Sequence, residues 1–292
     1  MRIAVYGNPF NPVKAKYVQH LIHKLEENNI PIIIEHQFHD FLIDHLQFKK
    51  DVDIFDTAKE LQENADILLS IGGDGTLLNT ITLIRDSGIP VLGINTGRLG
   101  FISSVSTDQI DNAVNQLLKK EYTLEERTLL QLDTNNQLFG ETNFALNEVT
   151  VLKKDTSSMI RIHAFLDDEF LNSYWADGLI VATPTGSTGY SLSCGGPIVV
   201  PGTENFIIAP IAPHNLNVRP VVVSEDRVLK LKVEDRDELA LVALDSRSRA
   251  IDPTLELVIR KSDFKVNLIK LHSQSFIATI REKLMWGKDK RN

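Results

Sequence analysis

Apolar positions in the first part of the chain follow two alternating rhythms. Short unbroken runs at Arg2–Tyr6, Ile30–Glu35, Asp66–Ser70 and Pro90–Asn95 are too short for helices and too uniformly apolar for half-solvated strands, so they predict strands covered on both faces. Between them the period lengthens. Val18, Leu21, Ile22 and Leu25 share one face of a helix that Asn11-Pro12 opens, with asparagine as the cap and proline at the first helical position. Further helices are expected near Thr76–Arg85 and over Asp108–Lys120, whereas residues 36–55 show no clear period. Alternating strands and helices of this kind predict a parallel sheet with helices on both faces. Ligands of such sheets gather at the carboxyl ends of the strands, where the segments GGDGT (72–76) and NTGRLGF (95–101) fall.

Past Glu121 the segments become short and β-branched or alternating: Leu129–Thr134, Phe144–Leu152, Ile160–Leu166, Arg227–Val233, Glu238–Leu244 and Thr254–Arg260, with turn residues between them. This half reads as mostly β. Helical spacing returns at Ser275–Trp286 through Ile277, Ile280 and Leu284, and this helix is expected to pack back on the first domain. The expected division is therefore an α/β domain over residues 1–122, a β-rich domain over 123–272 entered by a tight crossover, and a returning helix over 273–292.

Composition narrows the function classes. A chain of 292 residues has room for about two domains of roughly 150 residues. The formal net charge of -8 argues against a nucleic-acid or anionic-membrane partner recognised through a basic face. The single cysteine, Cys194, leaves no internal disulfide and points to a reducing compartment. No apolar run reaches the ~18 residues of a membrane span, and the first residues lack the pattern of a secretory signal, so a cytoplasmic location is expected.

Three stretches carry the candidate chemistry. Gly72, Gly73, Gly75 and Thr76 surround Asp74 at a strand-to-helix junction, where glycine backbone N–H groups and a helix amino end suit phosphate oxygens. An ordinary turn would select the same residue types. The run DGLIVATPTGSTGYSLSCGGP (177–197) begins as a strand and becomes dense in hydroxyls and glycines, with apolar residues leading in and out that suggest partial burial. In ALNEVTV (145–151), Asn147 and Glu148 interrupt an apolar strand with an amide and a carboxylate, groups that need partners if buried.

Taken together, GGDGTLL, NTGRLGF, LNEVTV, DGLIVATPTGSTGYSLSCGGP and APHNLNVRP occur in the order found in the NAD kinase family, which the chain resembles over most of its length. The resemblance implies a Rossmann-like, phosphofructokinase-like parallel sheet in the first domain and a β-rich NAD-binding second domain. It implies transfer of the terminal phosphoryl group of ATP, another triphosphate or polyphosphate to the 2′-hydroxyl of the adenosine ribose of NAD, giving NADP. Mg²⁺ or another divalent ion would be carried mainly by the ATP phosphates, with no dedicated metal site in the protein, and the assembly would be a homodimer or homotetramer. By the same resemblance Asp74 is the catalytic base, and Gly72, Gly73, Gly75 and Thr76 form the phosphate loop. Asp74 and Gly75 also join the NAD-binding set, with Phe101 near the adenine. Asn147 and Glu148 bind NAD hydroxyls and base atoms, and Asp177 lines the nicotinamide side. Thr188, Gly189, Tyr190, Ser191, Leu192 and Ser193 wall the adenosine portion, and Ala212, His214 and Arg247 are further candidates.

The chain also departs from the family's usual pattern. Trp175 stands where arginine or another small or polar residue is common, Ser246-Arg247 follows the aspartate of ALDSRSRAID, and Asn215 and Asn217 replace hydroxyl residues. The pairs His20/His23 and His36/His39 lack a third ligand nearby in sequence and read as ordinary histidines, Cys194 reads as a small packing residue, and the charged run 234–238 reads as a solvated turn. Two other readings of GGDGT stay open at this point. One is a kinase of a sugar phosphate or lipid, although no TIDND-like segment or basic membrane face is found; the other is a catalytically silent pyridine-nucleotide sensor.

Overall fold

The computed structural model describes residues 1–97, 100–154, 159–234, 240–272 and 274–287. They form two compact units, Met1–Glu126 with Val266–Asn292, and Arg127–Lys265. In the first unit the chain runs β1 (Ile3–Gly7), α1 (Ala15–Glu27), β2 (Ile32–Glu35), α2 (His36–Ile43), β3 (Asp53–Phe55), α3 (Ala58–Asn64), β4 (Ile67–Gly72), α4 (Asp74–Ile84), β5 (Val91–Asn95), β6 (Val105–Ser106) and α5 (Ile110–Lys119). The strands lie in the order β3-β2-β1-β4-β5, all parallel, with β6 parallel to β5. Continuous apolar strands thus become the centre of a doubly covered sheet, as their uniform hydrophobicity requires. Ile3, Val5, Ile34, Leu69 and Leu92 share one core with Val18, Leu21, Ile22 and Leu25 of α1 and with Val114 and Leu117 of α5.

The stretch without a legible period contains α2 and β3. Glu35 caps α2 by accepting the Phe38 N–H at 2.8 Å, and Phe38 and Leu42, one turn apart, are its two buried side chains. Thr57 and Glu60 form a reciprocal capping box on the short helix α3.

The second unit is built almost entirely of antiparallel strands: β7 (Tyr122–Asp133), β8 (Phe144–Ala145), β9 (Glu148–Lys153), β10 (Ile160–Leu166), β11 (Glu169–Ala176), β12 (Gly178–Ala182), β13 (Asn205–Ile211), β14 (Val221–Ser224), β15 (Leu229–Glu234), β16 (Ala240–Leu244), β17 (Arg247–Ile251) and β18 (Leu257–Leu271). One sheet has the order β14-β13-β12-β9-β16-β17, and in the other β11, β10, β15 and the first part of β18 are neighbours. Val149, Val151, Leu179, Val181 and Val242 of the first sheet share a core with Ile160, Ile162, Tyr174, Leu231 and Leu257 of the second, so the two faces pack as a sandwich. The unit divisions fall inside β7 and β18 rather than in a linker.

A short helix α6 (Tyr190–Ser193) lies in the hydroxyl-rich run, and the last helix α7 (Phe276–Lys283) belongs to the first unit. Ser275 caps α7, but of the three residues expected to anchor it only Ile280 is buried; Ile277 is 55% exposed and Leu284 lies beyond the helix end. The turn expected over 234–238 lies outside the described residues except for Glu234, which pairs with Arg161 at 3.2 Å. Among the described residues no helix is long and apolar enough to cross a membrane.

Candidate functional site

In the first unit the site grows from the junction of β4 and α4. The helix begins at Asp74, two residues before the expected Thr76, with Gly73 as its N-cap. Asp74 therefore sits in the first turn, at the positive end of the helix dipole, among N–H groups that have no intrahelical acceptor.

The Asp74 carboxylate is held from the other side by a returning loop. Its Oδ2 accepts the Phe101 N–H at 2.8 Å, and its Oδ1 accepts those of Ile102 at 3.2 Å and Ser103 at 2.8 Å. Two glycines make this approach possible. A Cβ on Gly100 would stand 1.8 Å from Asp74 Oδ1, and one on Gly93 in β5 would stand 2.7 Å from the Ser103 Cα. Sequence reasoning passed over both, although Gly100 lies inside the quoted NTGRLGF segment; Arg98 and Leu99 of that segment lie outside the described residues.

The glycines around Asp74 have different reasons to be glycine. A Cβ on Gly72 would come within 2.2 Å of Thr76 Oγ1, so packing excludes it. Gly73 and Gly75 are exposed, with nothing within 4 Å of an added Cβ, so only bare main chain faces the space beside the carboxylate. Thr76 is buried and its hydroxyl faces Gly72 and Asn8, away from that space. Phe101 is half-buried, and the Lys283 ammonium of α7 lies 5.0 Å from its ring centre.

In the second unit the single strand expected over Phe144–Leu152 is broken. Leu146 and Asn147 lie between β8 and β9, and their N–H groups, with that of Glu148, converge on the Asp245 carboxylate at 2.9, 2.8 and 3.1 Å. Asp245 occupies the turn between β16 and β17 with a φ of 53°, a left-handed conformation that aspartate tolerates in turns. Nothing in ALDSRSRAID marked this role beyond an aspartate between two strand-like runs.

Thr183 supports the break from the other side. Its hydroxyl donates to the Leu146 carbonyl at 2.6 Å and accepts the Gly186 N–H at 3.1 Å, while its own N–H donates to the Asn147 carbonyl at 2.9 Å. A Cβ on Gly186 would stand 2.1 Å from that carbonyl oxygen, so this glycine too is required by close approach. Thr183 is fully buried. The Thr183→Val variant keeps the shape but strands both hydrogen-bonding partners, which is expected to cost about 2–4 kcal/mol of stability, measured as a shift in the denaturant midpoint. A change within experimental error would show that the hydroxyl is not what holds the break.

This scaffold aims Asn147 and Glu148 together. Each is only 9% exposed, yet Asn147 Oδ1 and Glu148 Oε2 have no hydrogen-bond partner among the described residues. Burial pushes the Glu148 carboxyl up to about 8, the neighbouring Asp245 adds to the rise, and the Tyr190 backbone N–H works against it. Desolvation also raises Asp245, opposed by its three N–H donors and by the charge of Arg247. Unpaired polar atoms held at this depth are expensive in a closed core and suit a surface that a ligand completes.

The hydroxyl-rich run lies against this pair. A Cβ on Gly189 would stand 3.0 Å from Glu148 Oε2 and 3.4 Å from Asn147 Nδ2. Thr188 is half-buried with its hydroxyl on the Thr185 carbonyl at 3.2 Å, and Tyr190 and Ser193 are exposed. Leu192 is half-buried. Ser191 is fully buried, with Gly196 so close that a Cβ there would meet Ser191 Oγ at 2.2 Å, and that Oγ has no hydrogen-bond partner among the described residues. Burial and the Glu148 charge push the Cys194 thiol up, consistent with a packing role.

Asp177, half-buried between β11 and β12, pairs with Lys153 at 2.6 Å. Ala212 is exposed in a left-handed conformation, φ 44°. The exposed His214 donates its N–H to the Trp175 carbonyl at 2.8 Å, with their rings 5.3 Å apart, and the Arg161 guanidinium lies 5.9 Å from the Trp175 ring. The Arg247 guanidinium donates to the Thr142 and Phe144 carbonyls, where it props the segment leading into the strand break. The histidine pairs are separate in use. His20 meets Asp111 at 3.0 Å, His23 meets Gln19 at 2.8 Å, and His36 meets Asp56 at 2.6 Å. Among the described residues no cluster of three His, Cys, Asp or Glu side chains could hold a metal ion.

Comparison with known proteins adds a line of evidence independent of this geometry. Residues 3–122 match the family described as the ATP-NAD kinase N-terminal domain, and residues 146–271 match the ATP-NAD kinase C-terminal domain. The chain is 47% identical to the NAD kinase of Cytophaga hutchinsonii over 293 aligned positions, and 42% identical to that of Bacteroides fragilis over 292, covering 100% of both proteins in each case. Among solved structures, an NAD kinase from Archaeoglobus fulgidus in complex with ATP superposes with a TM-score of 0.75 at 28% identity, covering 98% of this chain and 99% of that one. A yeast NADH kinase complexed with NADH shares the fold, with a TM-score of 0.88 at 21% identity over 99% of this chain and 89% of the other. Both family matches, together spanning most of the sequence, and full-length relatives at this identity establish that the chain belongs to the NAD kinase family.

Proposed function

We propose that this protein transfers the terminal phosphoryl group of ATP to the 2′-hydroxyl of the adenosine ribose of NAD, producing NADP and ADP. The observation that carries the reading is Asp74: a carboxylate fixed by three N–H groups at the amino end of α4, between two glycines that leave open space. The bare backbone at Gly73 and Gly75 lets phosphate oxygens approach the helix N–H groups, and Asp74 takes the proton of the attacking hydroxyl. As the hydroxyl oxygen bonds to phosphorus, the bond from phosphorus to the departing ADP oxygen breaks, and positioning with charge stabilisation supplies most of the catalysis.

Asn147 and Glu148 offer an amide and a carboxyl, with one unpartnered oxygen each, for NAD hydroxyl and base atoms. Gly189 and Tyr190 form the neighbouring wall, and Asp177 lines the nicotinamide side. Asp74 Oδ2 accepts a single N–H and keeps a lone pair for the hydroxyl proton, and among the described residues no cluster of three His, Cys, Asp or Glu side chains offers a metal cage. Mg²⁺ would accordingly be held by the triphosphate itself, where it neutralises phosphate charge. The reading carries with it a cytoplasmic location and a homodimeric or homotetrameric assembly.

Purified protein supplied with NAD, ATP and Mg²⁺ is expected to form NADP, read out by an NADP-specific dehydrogenase. Phosphoryl transfer to a sugar phosphate or a lipid in place of NAD would overturn the assignment. NAD binding without turnover would instead identify a sensor.

A further inference from the structure

Two acids in the second unit lie next to each other and divide their hydrogen-bond donors unequally. Asp245 receives three backbone N–H groups, from Leu146, Asn147 and Glu148, and has Arg247 beside it. Glu148 is 9% exposed and, among the described residues, receives the Tyr190 N–H and leaves Oε2 without a partner. Two adjacent buried carboxyls do not both ionise readily, and the pair keeps its negative charge where the donors are, on Asp245. The proton then belongs to Glu148. The charged or titratable groups that bear on Glu148 are Asp245 from the β16–β17 turn, which has Arg247 of β17 at its side, and Cys194, with Tyr190, from the hydroxyl-rich run. Of these only Arg247 is cationic, and its guanidinium is committed to the Thr142 and Phe144 carbonyls.

A dinucleotide covering this surface would exclude water and bring a diphosphate anion, and both effects oppose a charge on Glu148. We propose that Glu148 engages the dinucleotide as an uncharged acid, with Asp245 as the positioning residue that keeps it so, and that NAD binding is therefore linked to proton retention at this one side chain. The inference rests on the reading of Asn147 and Glu148 as NAD-binding residues and goes beyond it by assigning the charge state.

The test is NAD affinity of the full-length protein by calorimetry from pH 6.5 to 9.5, in buffers of differing ionisation enthalpy. The expected result is nearly constant affinity below about pH 7 and about tenfold weakening between pH 7 and pH 9, with proton uptake on binding at the upper end, as the carboxyl near 8 ionises. Glu148→Gln imitates the neutral acid: its carbonyl oxygen serves the Tyr190 N–H, and its NH₂ takes the place of the acid proton. Whatever its affinity relative to the wild type, it is expected to show no weakening of NAD binding between pH 7 and pH 9. NAD affinity that stays level or rises through pH 9 in the wild type would overturn the proposal while leaving the binding site in place. Absence of NAD binding at every pH, in protein that melts cooperatively, would overturn both the proposal and the site. The wild-type series needs no variant and decides the matter even if Glu148→Gln fails to fold.

Discussion

Asp74→Asn is expected to lower turnover by about 10²–10⁴ while leaving NAD affinity nearly unchanged, because the substitution removes the group that accepts a proton in the transition state. The structural damage should be modest. The asparagine carbonyl oxygen can serve only one side of the loop, Phe101 or the Ile102–Ser103 pair, and its NH₂ would then face an N–H on the other. Losing that match costs about 1–3 kcal/mol, and a first unit with so continuous a core should absorb it. Circular dichroism with a melt establishes folding, and single-turnover kinetics with calorimetry separates chemistry from binding. Near-wild-type turnover in a folded variant would mean that a different group takes the proton.

Gly100→Ala leaves the base chemically intact and should be almost as damaging. Its Cβ would fall 1.8 Å from Asp74 Oδ1, so either the loop or the carboxylate must move by more than an ångström. A displacement of that size at a reacting group costs roughly a hundredfold in rate. The diagnostic is non-additivity: the double variant Asp74→Asn/Gly100→Ala should turn over no more slowly than Asp74→Asn within a few-fold, since the loop acts through the carboxylate. Additive losses would give the loop a separate role. Full activity in Gly100→Ala would mean that the loop yields without moving Asp74.

Legibility in the sequence tracked how local each cause is. The parallel strands were plain because burial on both faces leaves unbroken apolar runs, and the Asn11 cap was plain because the side chain accepts the Val13 N–H two residues on. The short helices α2 and α3 were missed, since two turns bury too few residues to display a period; α2 buries Phe38 and Leu42, and α3 only Leu61. β13 was missed although six of its seven residues are buried. Pro210 lies within it, paired with Leu179 of β12 and beyond Ile208, where the pairing with β14 ends. β17 runs through Arg247, Ser248 and Arg249, polar positions that give an exposed strand no hydrophobic alternation.

The site divided in the same way. Asp74 stood out as a carboxylate among glycines, and Asn147 and Glu148 as polar residues in an apolar strand. Asp245, Thr183, Gly93 and Gly100 act through contacts between segments far apart in sequence: Asp245 Oδ1 meets the Asn147 N–H across 98 positions. A turn aspartate and a loop glycine are too common to announce such partners. Ser191 and Arg247 show what a sequence leaves unsaid about placement: the Ser191 hydroxyl is buried beside Gly196, and the Arg247 guanidinium reaches the Thr142 and Phe144 carbonyls.

The interruption between β8 and β9 is tied down on both sides, to Asp245 and to Thr183, and is flanked by strands of a packed sandwich. Recognition groups mounted in this way are pre-organised: capture of a nucleotide freezes few rotors that were free beforehand, and about 0.5–1.5 kcal/mol is spared for each side chain that needs no ordering. Affinity then depends on the complementarity of the guest, and a nucleotide of the wrong shape meets a rigid surface that does not remould itself to fit.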